Sequence, residues 1–210
     1  MYKVFLNNYF IVFGNCNSFS KKCQCNYCSL FFVKKCKNKI VTLEEISSII
    51  QKKNKVDANF FIISNDYIAQ FNEFKSRFKN ISAAGGLVLN KENKILIIHK
   101  NNIWDLPKGK VQNENILEAA LREIKEETNA EVDLIKKNKI ITWHIYYELE
   151  QIVLKETSWF LMRIKNKSTL IPQKYESITS LRWADVNEIK NLETYSSVKE
   201  VVLRFINLMY

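Results

Sequence analysis

The chain has 210 residues, a net charge of +10, an apolar fraction of 47% and a charged fraction of 26%. These values are typical of a globular protein that can bury a sizeable core, and no apolar run approaches the roughly 20 residues that a membrane-spanning helix needs. We therefore expect a soluble protein without a membrane partner.

The positive charge is concentrated in the N-terminal part of the chain. Residues 1–80 carry 13 basic and 5 acidic side chains, a net charge of +8, whereas residues 81–210 carry 19 and 17, a net charge of +2. Such an excess suits nucleic acid, an anionic membrane surface or anionic small substrates. Because 27 of the 32 basic residues are lysines, we favour solvated lysines over a dedicated basic surface, and RNA is not the favoured partner.

The first predicted element is a β-hairpin. Val4–Leu6 and Phe10–Phe13 are apolar, and Asn7 and Asn8 between them are typical turn residues. The same two asparagines interrupt the apolar run that a secretory signal peptide would need. We therefore expect a cytoplasmic protein.

The five cysteines all lie within the first 36 residues. Their odd number does not fit a disulfide framework. Cys23, Cys25 and Cys28 have a spacing that invites a zinc site, but structural zinc sites usually combine two separated pairs, and no histidine precedes His99. We favour free thiols over zinc ligands.

Helices and strands alternate in the rest of the N-terminal part. The capping box that Thr42 opens predicts a helix over about residues 43–53. Phe60–Ile63 is typical of a short buried strand, and Asn65 is placed to cap a further helix with apolar residues at helical spacing. Residues 1–80 would thus form a small N-terminal α/β extension of unassigned role.

Two antiparallel strands are predicted next, over residues 83–89 and 94–99. The pair Gly85-Gly86 inside the first of them indicates a bulge or a close backbone approach, because glycine weakens a strand. Residues 81–210 would form the second domain. Its later elements are expected to be strands at Lys139–Tyr147, Glu156–Ile164 and Ile178–Trp183 and a closing helix over about residues 195–208.

A helix with defined ends is predicted from Ile116 to Thr128. Asn115 followed by Glu118 supplies an N-cap with an acidic partner, and Asn129 tolerates the left-handed conformation that often ends a helix. Four apolar residues at helical spacing form a face for burial: Leu117, Ala120, Leu121 and Ile124.

Three glutamates occupy another face of the same helix. Glu123, Glu126 and Glu127 stand at i, i+3 and i+4 near its C-terminus, where like charges repel one another and oppose the helix dipole. A divalent cation such as Mg²⁺ would stabilise this arrangement, since it prefers oxygen ligands. The alternative is a solvated acidic face that Arg122 and Lys125 neutralise.

The loop before the helix favours the metal site. Gly109, Glu114 and the run Arg122-Glu123-Ile124-x-Glu126-Glu127-x-Asn129 resemble the Nudix box, G-x5-E-x7-R-E-U-x-E-E-x-G-U, in which U is a bulky aliphatic residue. The Gly-to-Glu spacing is one residue shorter than usual, and Asn129 stands in place of the second glycine. Trp104–Lys110 resembles the segment that leads into the box in diadenosine-polyphosphate and diphosphoinositol-polyphosphate hydrolases. The resemblance covers about residues 80–205.

Resemblance to this family implies a fold and an activity. The fold would be a Nudix-type α/β/α sandwich with a mixed sheet, following the N-terminal extension. The activity would be Mg²⁺-dependent hydrolysis of a small, nucleoside-diphosphate-linked substrate, a dinucleoside polyphosphate or related nucleotide being favoured, with Mn²⁺ as a possible substitute. The alternatives are removal of pyrophosphate from RNA 5′ ends, or a non-catalytic Nudix-fold protein that binds a nucleotide and regulates; the complete set of box glutamates argues against the latter.

The same resemblance implies the metal ligands. Glu123 and Glu127 would be the principal ligands, Glu126 would assist, and the main-chain carbonyl of Lys108 would complete the shell. As a structural brace of the site, Arg122 would pair with Glu114 and hold the loop at Gly109 against the helix.

The proton acceptor in such enzymes is a carboxylate. The family uses either a box glutamate, here Glu123, or a glutamate from a later loop, for which Glu176 is our candidate and Glu150 and Glu156 are weaker ones. Two loop lysines could meet substrate phosphates as point charges: Lys108 and Lys110.

Overall fold

The computed structural model describes residues 1–6, 9–15, 37–52, 58–165 and 169–209. They divide into two compact units, one of Met1–Asn80 with Trp143–Lys155 and the other of Ile81–Thr142 with Glu156–Tyr210. The expectations on the cysteines and on the Asn7-Asn8 turn lie outside the described residues. Within the described ranges, no helix is both long and apolar enough to cross a bilayer.

The described residues form eleven strands and five helices. In order, the strands are β1 (Tyr2–Leu6), β2 (Tyr9–Gly14), β3 (Lys37–Ile40), β4 (Ala58–Ile63), β5 (Lys79–Leu89), β6 (Ile95–Lys100), β7 (Ile103–Asp105), β8 (Lys108–Lys110), β9 (Val132–Glu148), β10 (Gln151–Ile164) and β11 (Ile178–Ala184). The helices are α1 (Leu43–Gln51), α2 (Tyr67–Ser76), α3 (Ile116–Thr128), α4 (Val186–Asn191) and α5 (Ser196–Met209), with a short 3₁₀ helix at Lys174–Glu176.

The first unit is a mixed sheet with two helices on one face. β1 pairs with β2 antiparallel and with β9 parallel, while β4 pairs with β2 and β3 in parallel. Alternate apolar residues of β1, β2 and β4 pack with α1 and α2 in one cluster. The N-cap of α2 is Asp66, and not Asn65 as the sequence predicted. The Asp66 carboxylate accepts a hydrogen bond of 3.2 Å from the N–H of Ala69, which lies three residues later, where an N-cap acceptor finds its donor.

The second unit has helices on both faces of its sheet. The strand order is β11-β6-β5-β10-β9, with β7 on β6 and β8 on β5. Val88 and Leu96 pack with Ile124 of α3, whereas their neighbours Leu87 and Ile95 pack with α4 and α5. Because successive residues of a strand face opposite sides, this alternation builds an α/β/α sandwich.

Two strands are longer than the sequence predicted, and several short elements were not predicted. β9 begins at Val132 and β10 at Gln151, several residues before the predicted starts. The first half of β9 is largely exposed, so its sequence lacks the alternation that reveals a half-buried strand. The prediction also missed five short elements: β3, β7, β8, α4 and the 3₁₀ helix at Lys174–Glu176.

Candidate active site

Helix α3 has the predicted bounds and the predicted caps. The Asn115 side chain accepts from the Glu118 N–H at 2.9 Å, and the Glu118 carboxylate accepts from the Asn115 N–H at 3.3 Å. At the other end, Asn129 has a φ of 58° and is left-handed. These caps fix which residues belong to the helix and hence which face the glutamates occupy.

Glu127 is the most deeply buried carboxylate of the site. Its side chain is 0% exposed; Oε2 accepts from the main-chain N–H of Lys108 at 2.7 Å and Oε1 accepts from Nζ of Lys100 at 3.1 Å. Burial raises the pKa of Glu127 above its ordinary value of 4.5, although the charges of Lys108 and Lys100 act in the opposite direction.

Glu123 lies one turn earlier on the same face and is 5% exposed. A Cβ atom on Gly109 would lie 2.0 Å from its Cδ and Oε2 atoms, so the carboxylate occupies the space that the glycine leaves. Its Oε1 accepts from Nη1 of Arg122 at 2.8 Å. Burial raises the pKa of Glu123, and Arg122 only partly opposes this effect.

The glycine pair on β5 allows this packing. A Cβ on Gly85 would lie 2.3 Å from the Pro107 carbonyl oxygen, and one on Gly86 would lie 2.7 Å from Cδ1 of Ile124. The loop strand β8 and helix α3 therefore approach β5 more closely than a larger residue would allow. Of the two predicted reasons for the glycine pair, a bulge or a close approach, the close approach is confirmed.

Arg122 connects the loop to the helix. Its Nε donates to both carboxylate oxygens of Glu114, at 3.0 and 3.1 Å, so the shortened loop still brings the two residues together. Nη2 donates to the Lys110 carbonyl at 3.0 Å, and Nη1 donates to Glu126 at 2.8 Å. Arg122 lowers the pKa of Glu114 and shares its own charge among three glutamates.

The two loop lysines are placed differently. The Lys108 side chain is 19% exposed and its ammonium pairs with Asp105, whose other oxygen accepts from the Leu106 N–H at 2.8 Å. Burial would lower the pKa of Lys108, but Asp105 and Glu127 together raise it. Lys110 is exposed. Contact of either lysine with a phosphate stays a prediction.

Glu176 is brought to the acidic helix by the chain that precedes it. The N–H groups of Ile171 and Gln173 donate to the carbonyls of Thr128 and Glu127, at 2.9 and 3.2 Å, which anchors this segment on the end of α3. Glu176 then lies on the 3₁₀ helix with its side chain 42% exposed. Of the weaker candidates, Glu150 belongs to the first unit and Glu156 to the second.

Lys100 is a member of the site that the sequence did not reveal. Its Nζ contacts both Glu127 and Glu176, the latter at 2.6 Å. Burial alone would lower the pKa of Lys100, but the two carboxylates together raise it. Nothing at the sequence level links a lysine at the end of β6 to glutamates 27 and 76 residues away.

The donor chemistry of the site fits a hard divalent cation. Carboxylates of Glu123, Glu126 and Glu127 and main-chain carbonyls are the ligands that Mg²⁺ prefers. Lys100 and Arg122 supply only part of the positive charge that these carboxylates need, since the pKa values of Glu123 and Glu127 stay raised. Across the described ranges, no three His, Cys, Asp or Glu side chains already have the spacing of a metal site.

Comparisons with known proteins agree with this organisation. The family model of the NUDIX domain matches residues 79–205. Nudix hydrolase 6 of Arabidopsis thaliana is 30% identical over 128 residues, which are 56% of this chain and 43% of that protein. Nudix hydrolase 5 of the same plant is 28% identical over 116 residues, 51% and 37% of the two chains. The chain thus spans less than half the length of these relatives.

Solved structures resemble the fold. A binary complex of the C. elegans Ap4A hydrolase has a TM-score of 0.53 and 19% identity, over 61% of this chain and 97% of that one. A second structure of the same hydrolase has a TM-score of 0.50 over 62% and 98%. At this identity the likeness bears on the fold alone. Since the family model covers more than half of the chain and the second unit has the sandwich of these structures, the chain belongs to the Nudix family.

Proposed function

We propose that the chain is a Mg²⁺-dependent pyrophosphohydrolase that cleaves a small, nucleoside-diphosphate-linked substrate, with Mn²⁺ as a substitute. The observation that carries this proposal is the pair of desolvated carboxylates, Glu123 and Glu127, which α3 holds against the backbone of β8. Two buried carboxylates one turn apart are costly unless a cation compensates them. The match to the Nudix family supports hydrolysis of a phosphoric anhydride bond.

The proposed metal ligands are Glu123, Glu126, Glu127 and the main-chain carbonyl of Lys108. The β-ladder supports the last of them. Gly109 faces Ala84 of β5, and the N–H of Lys108 turns away from β5 to Glu127. In an antiparallel ladder the N–H and C=O of one residue point to the same side, so we expect the Lys108 carbonyl to point away from β5 as well, on the side of Glu127.

The proposed reaction is attack of water on phosphorus. A bound Mg²⁺ would neutralise the phosphate oxygens and the bridging oxygen as it leaves. Glu176 accepts the proton of the attacking water while the new P–O bond forms, and the bond to the bridging oxygen breaks with its electron pair on the leaving phosphate. Glu123 is the alternative base. Lys108 and Lys110 are the proposed point charges for the substrate phosphates.

Two substrate classes follow from different parts of the chain. The segment Trp104–Lys110 favours a dinucleoside polyphosphate or a related nucleotide, because it resembles the corresponding segment of diadenosine-polyphosphate and diphosphoinositol-polyphosphate hydrolases. The net charge of +8 in residues 1–80 favours RNA 5′ ends as the second candidate.

A substrate panel tests the function. Dinucleoside polyphosphates, nucleoside diphosphate sugars and 5′-triphosphorylated RNA would be incubated with Mg²⁺ or Mn²⁺ and the products identified. We expect Glu127→Gln to lower the rate by at least about 100-fold, while Glu131→Gln, an exposed carboxylate just beyond α3, keeps the wild-type rate.

The panel also separates the alternatives. RNA as the best substrate, with activity that falls steeply as salt increases, would favour the second candidate. A chain that binds nucleotides but hydrolyses none of them with either metal would overturn the enzymatic proposal and favour a regulatory protein.

A further inference from the structure

Lys100 connects two parts of the site that the proposed reaction requires, the acidic helix α3 and the residue Glu176. It is the last residue of β6, its side chain is 26% exposed, and its ammonium lies 3.1 Å from Oε1 of Glu127 and 2.6 Å from Oε2 of Glu176. One oxygen belongs to a buried glutamate of α3 and the other to the 3₁₀ helix before β11. The lysine therefore bridges two elements that are distant in sequence.

The backbone around Lys100 is held on both sides. It pairs with Ile103 of β7 and with Ile178 of β11. Ile178 follows Glu176 after one residue, Ser177, whose φ of 61° turns the chain out of the 3₁₀ helix. Lys100 thus has little freedom to move relative to the backbone that carries Glu176.

Glu176 needs a positively charged partner to stay beside the acidic helix α3. Its carboxylate is brought close to Glu127 and contributes to the raised pKa of Glu123, so the three negative groups repel one another. Its own side chain is 42% exposed and could turn into solvent. Among the described contacts of the Glu176 carboxylate, the ammonium of Lys100 is the one that opposes this.

We propose that Lys100 is the positioning residue for Glu176: its ammonium holds this carboxylate beside Glu127, where it can accept the proton of the attacking water. The inference rests on the proposed hydrolysis. Lys100 acts through Glu176 and does not need to touch the substrate or the metal. A salt bridge of this kind fixes a base within the small distance on which proton transfer depends.

Steady-state kinetics at saturating Mg²⁺ test the proposal. Lys100→Met should lower kcat on the order of 10- to 100-fold and leave KM unchanged. Because Lys100 also contacts Glu127, the Mg²⁺ concentration for half-maximal rate can change, but by a smaller factor than kcat. Lys100→Arg, which keeps the charge, should restore most of kcat. Lys94→Met, on the same hairpin but exposed, is the matched control and should behave as wild type. If the methionine variant does not fold, Lys100→Gln makes the same comparison.

A double-mutant cycle gives the decisive result. In a Glu176→Gln background, Lys100→Met should cause no further loss of kcat, because the group that it positions is already gone. An equal loss in both backgrounds would overturn the inference. So would a change only in KM, which would make Lys100 a substrate contact, or only in the Mg²⁺ requirement, which would make it a partner of the metal site. A wild-type chain inactive towards the whole panel would instead overturn the proposed function.

Discussion

At Gly109, the absence of a side chain decides where a carboxylate lies. A Cβ atom there would overlap Cδ, Oε1 and Oε2 of Glu123, at 2.0 to 2.4 Å. No glycine in the described part of the chain has a positive φ. Gly109 is therefore required for space and not for an unusual backbone conformation, and the same holds for Gly85 beneath the loop.

We predict that Gly109→Ala lowers the Mg²⁺-dependent rate by about 100-fold, because the added methyl group displaces the Glu123 carboxylate by an ångström or more. Asn113→Ala, in the exposed part of the same loop, should keep the wild-type rate. The measurement is kcat/KM together with Mg²⁺ titration for both variants. A fully active alanine variant would contradict this prediction, because it would show that the Glu123 carboxylate can move away from residue 109 without loss of activity.

At the scale of one element, the turn of the β9–β10 hairpin carries local strain. Leu149 has a φ of 54° and is 95% exposed, and it is followed by Glu150, which has no positive φ. A positive φ at only the first of two turn residues is the pattern of a type II′ turn, in which glycine is favoured at that position. The side chain of Leu149 gains no burial that would offset this strain.

Replacing this residue with glycine should stabilise the first unit. We predict that Leu149→Gly raises the free energy of unfolding by about 1 kcal/mol, since relief of strain exceeds the added entropy of the unfolded chain. Leu149→Ala removes the same exposed side chain but retains the strain, so it should give no gain. Urea denaturation measures the free energy of unfolding of both variants. Equal stability of the glycine and alanine variants would contradict the proposed backbone strain at Leu149.

For the whole molecule, Glu123 and Glu127 link stability to pH and metal. Burial raises both pKa values above the ordinary value of 4.5. As pH rises through the raised values, the folded chain must ionise carboxylates that the unfolded chain has already ionised at lower pH, and stability is lost. A divalent cation binds the ionised carboxylates of the folded chain and thereby restores the lost stability.

We therefore predict that Mg²⁺ raises Tm more at about pH 8 than at about pH 5, because protons compete with the cation for these carboxylates. Differential scanning calorimetry at several Mg²⁺ concentrations measures the difference. In Glu127→Gln the increase should be smaller and should depend less on pH. The same increase at both pH values in the wild-type chain would count against a metal site at these glutamates.

The contacts of the described residues bear on the division of the chain into domains. An extension of residues 1–80 before a domain of residues 81–210 stays a prediction. The contacts place Trp143–Lys155 with the first 80 residues. The end of the β9–β10 hairpin belongs to the first unit because Trp143 and His144 pair with β1, and Ile145 and Leu154 pack in its core.

Features that depend on local spacing were predictable from the amino-acid sequence alone. The bounds of α3, its caps, and the common face of Glu123 and Glu127 follow from helical periodicity and capping within 15 residues. The pairing of Arg122 with Glu114 followed from the resemblance to the Nudix box. Each of these relations lies within one helix and the loop before it.

Contacts between groups that are distant in the chain depend on how the folded chain packs. Lys100 reaches Glu127 and Glu176 because β6 pairs with β11 and the chain before Glu176 is anchored on the end of α3. The burial that raises the pKa values of the site carboxylates likewise arises when β8 and α3 pack on β5. Strand pairing and desolvation bring together residues far apart in the chain, and no periodicity within the sequence records them.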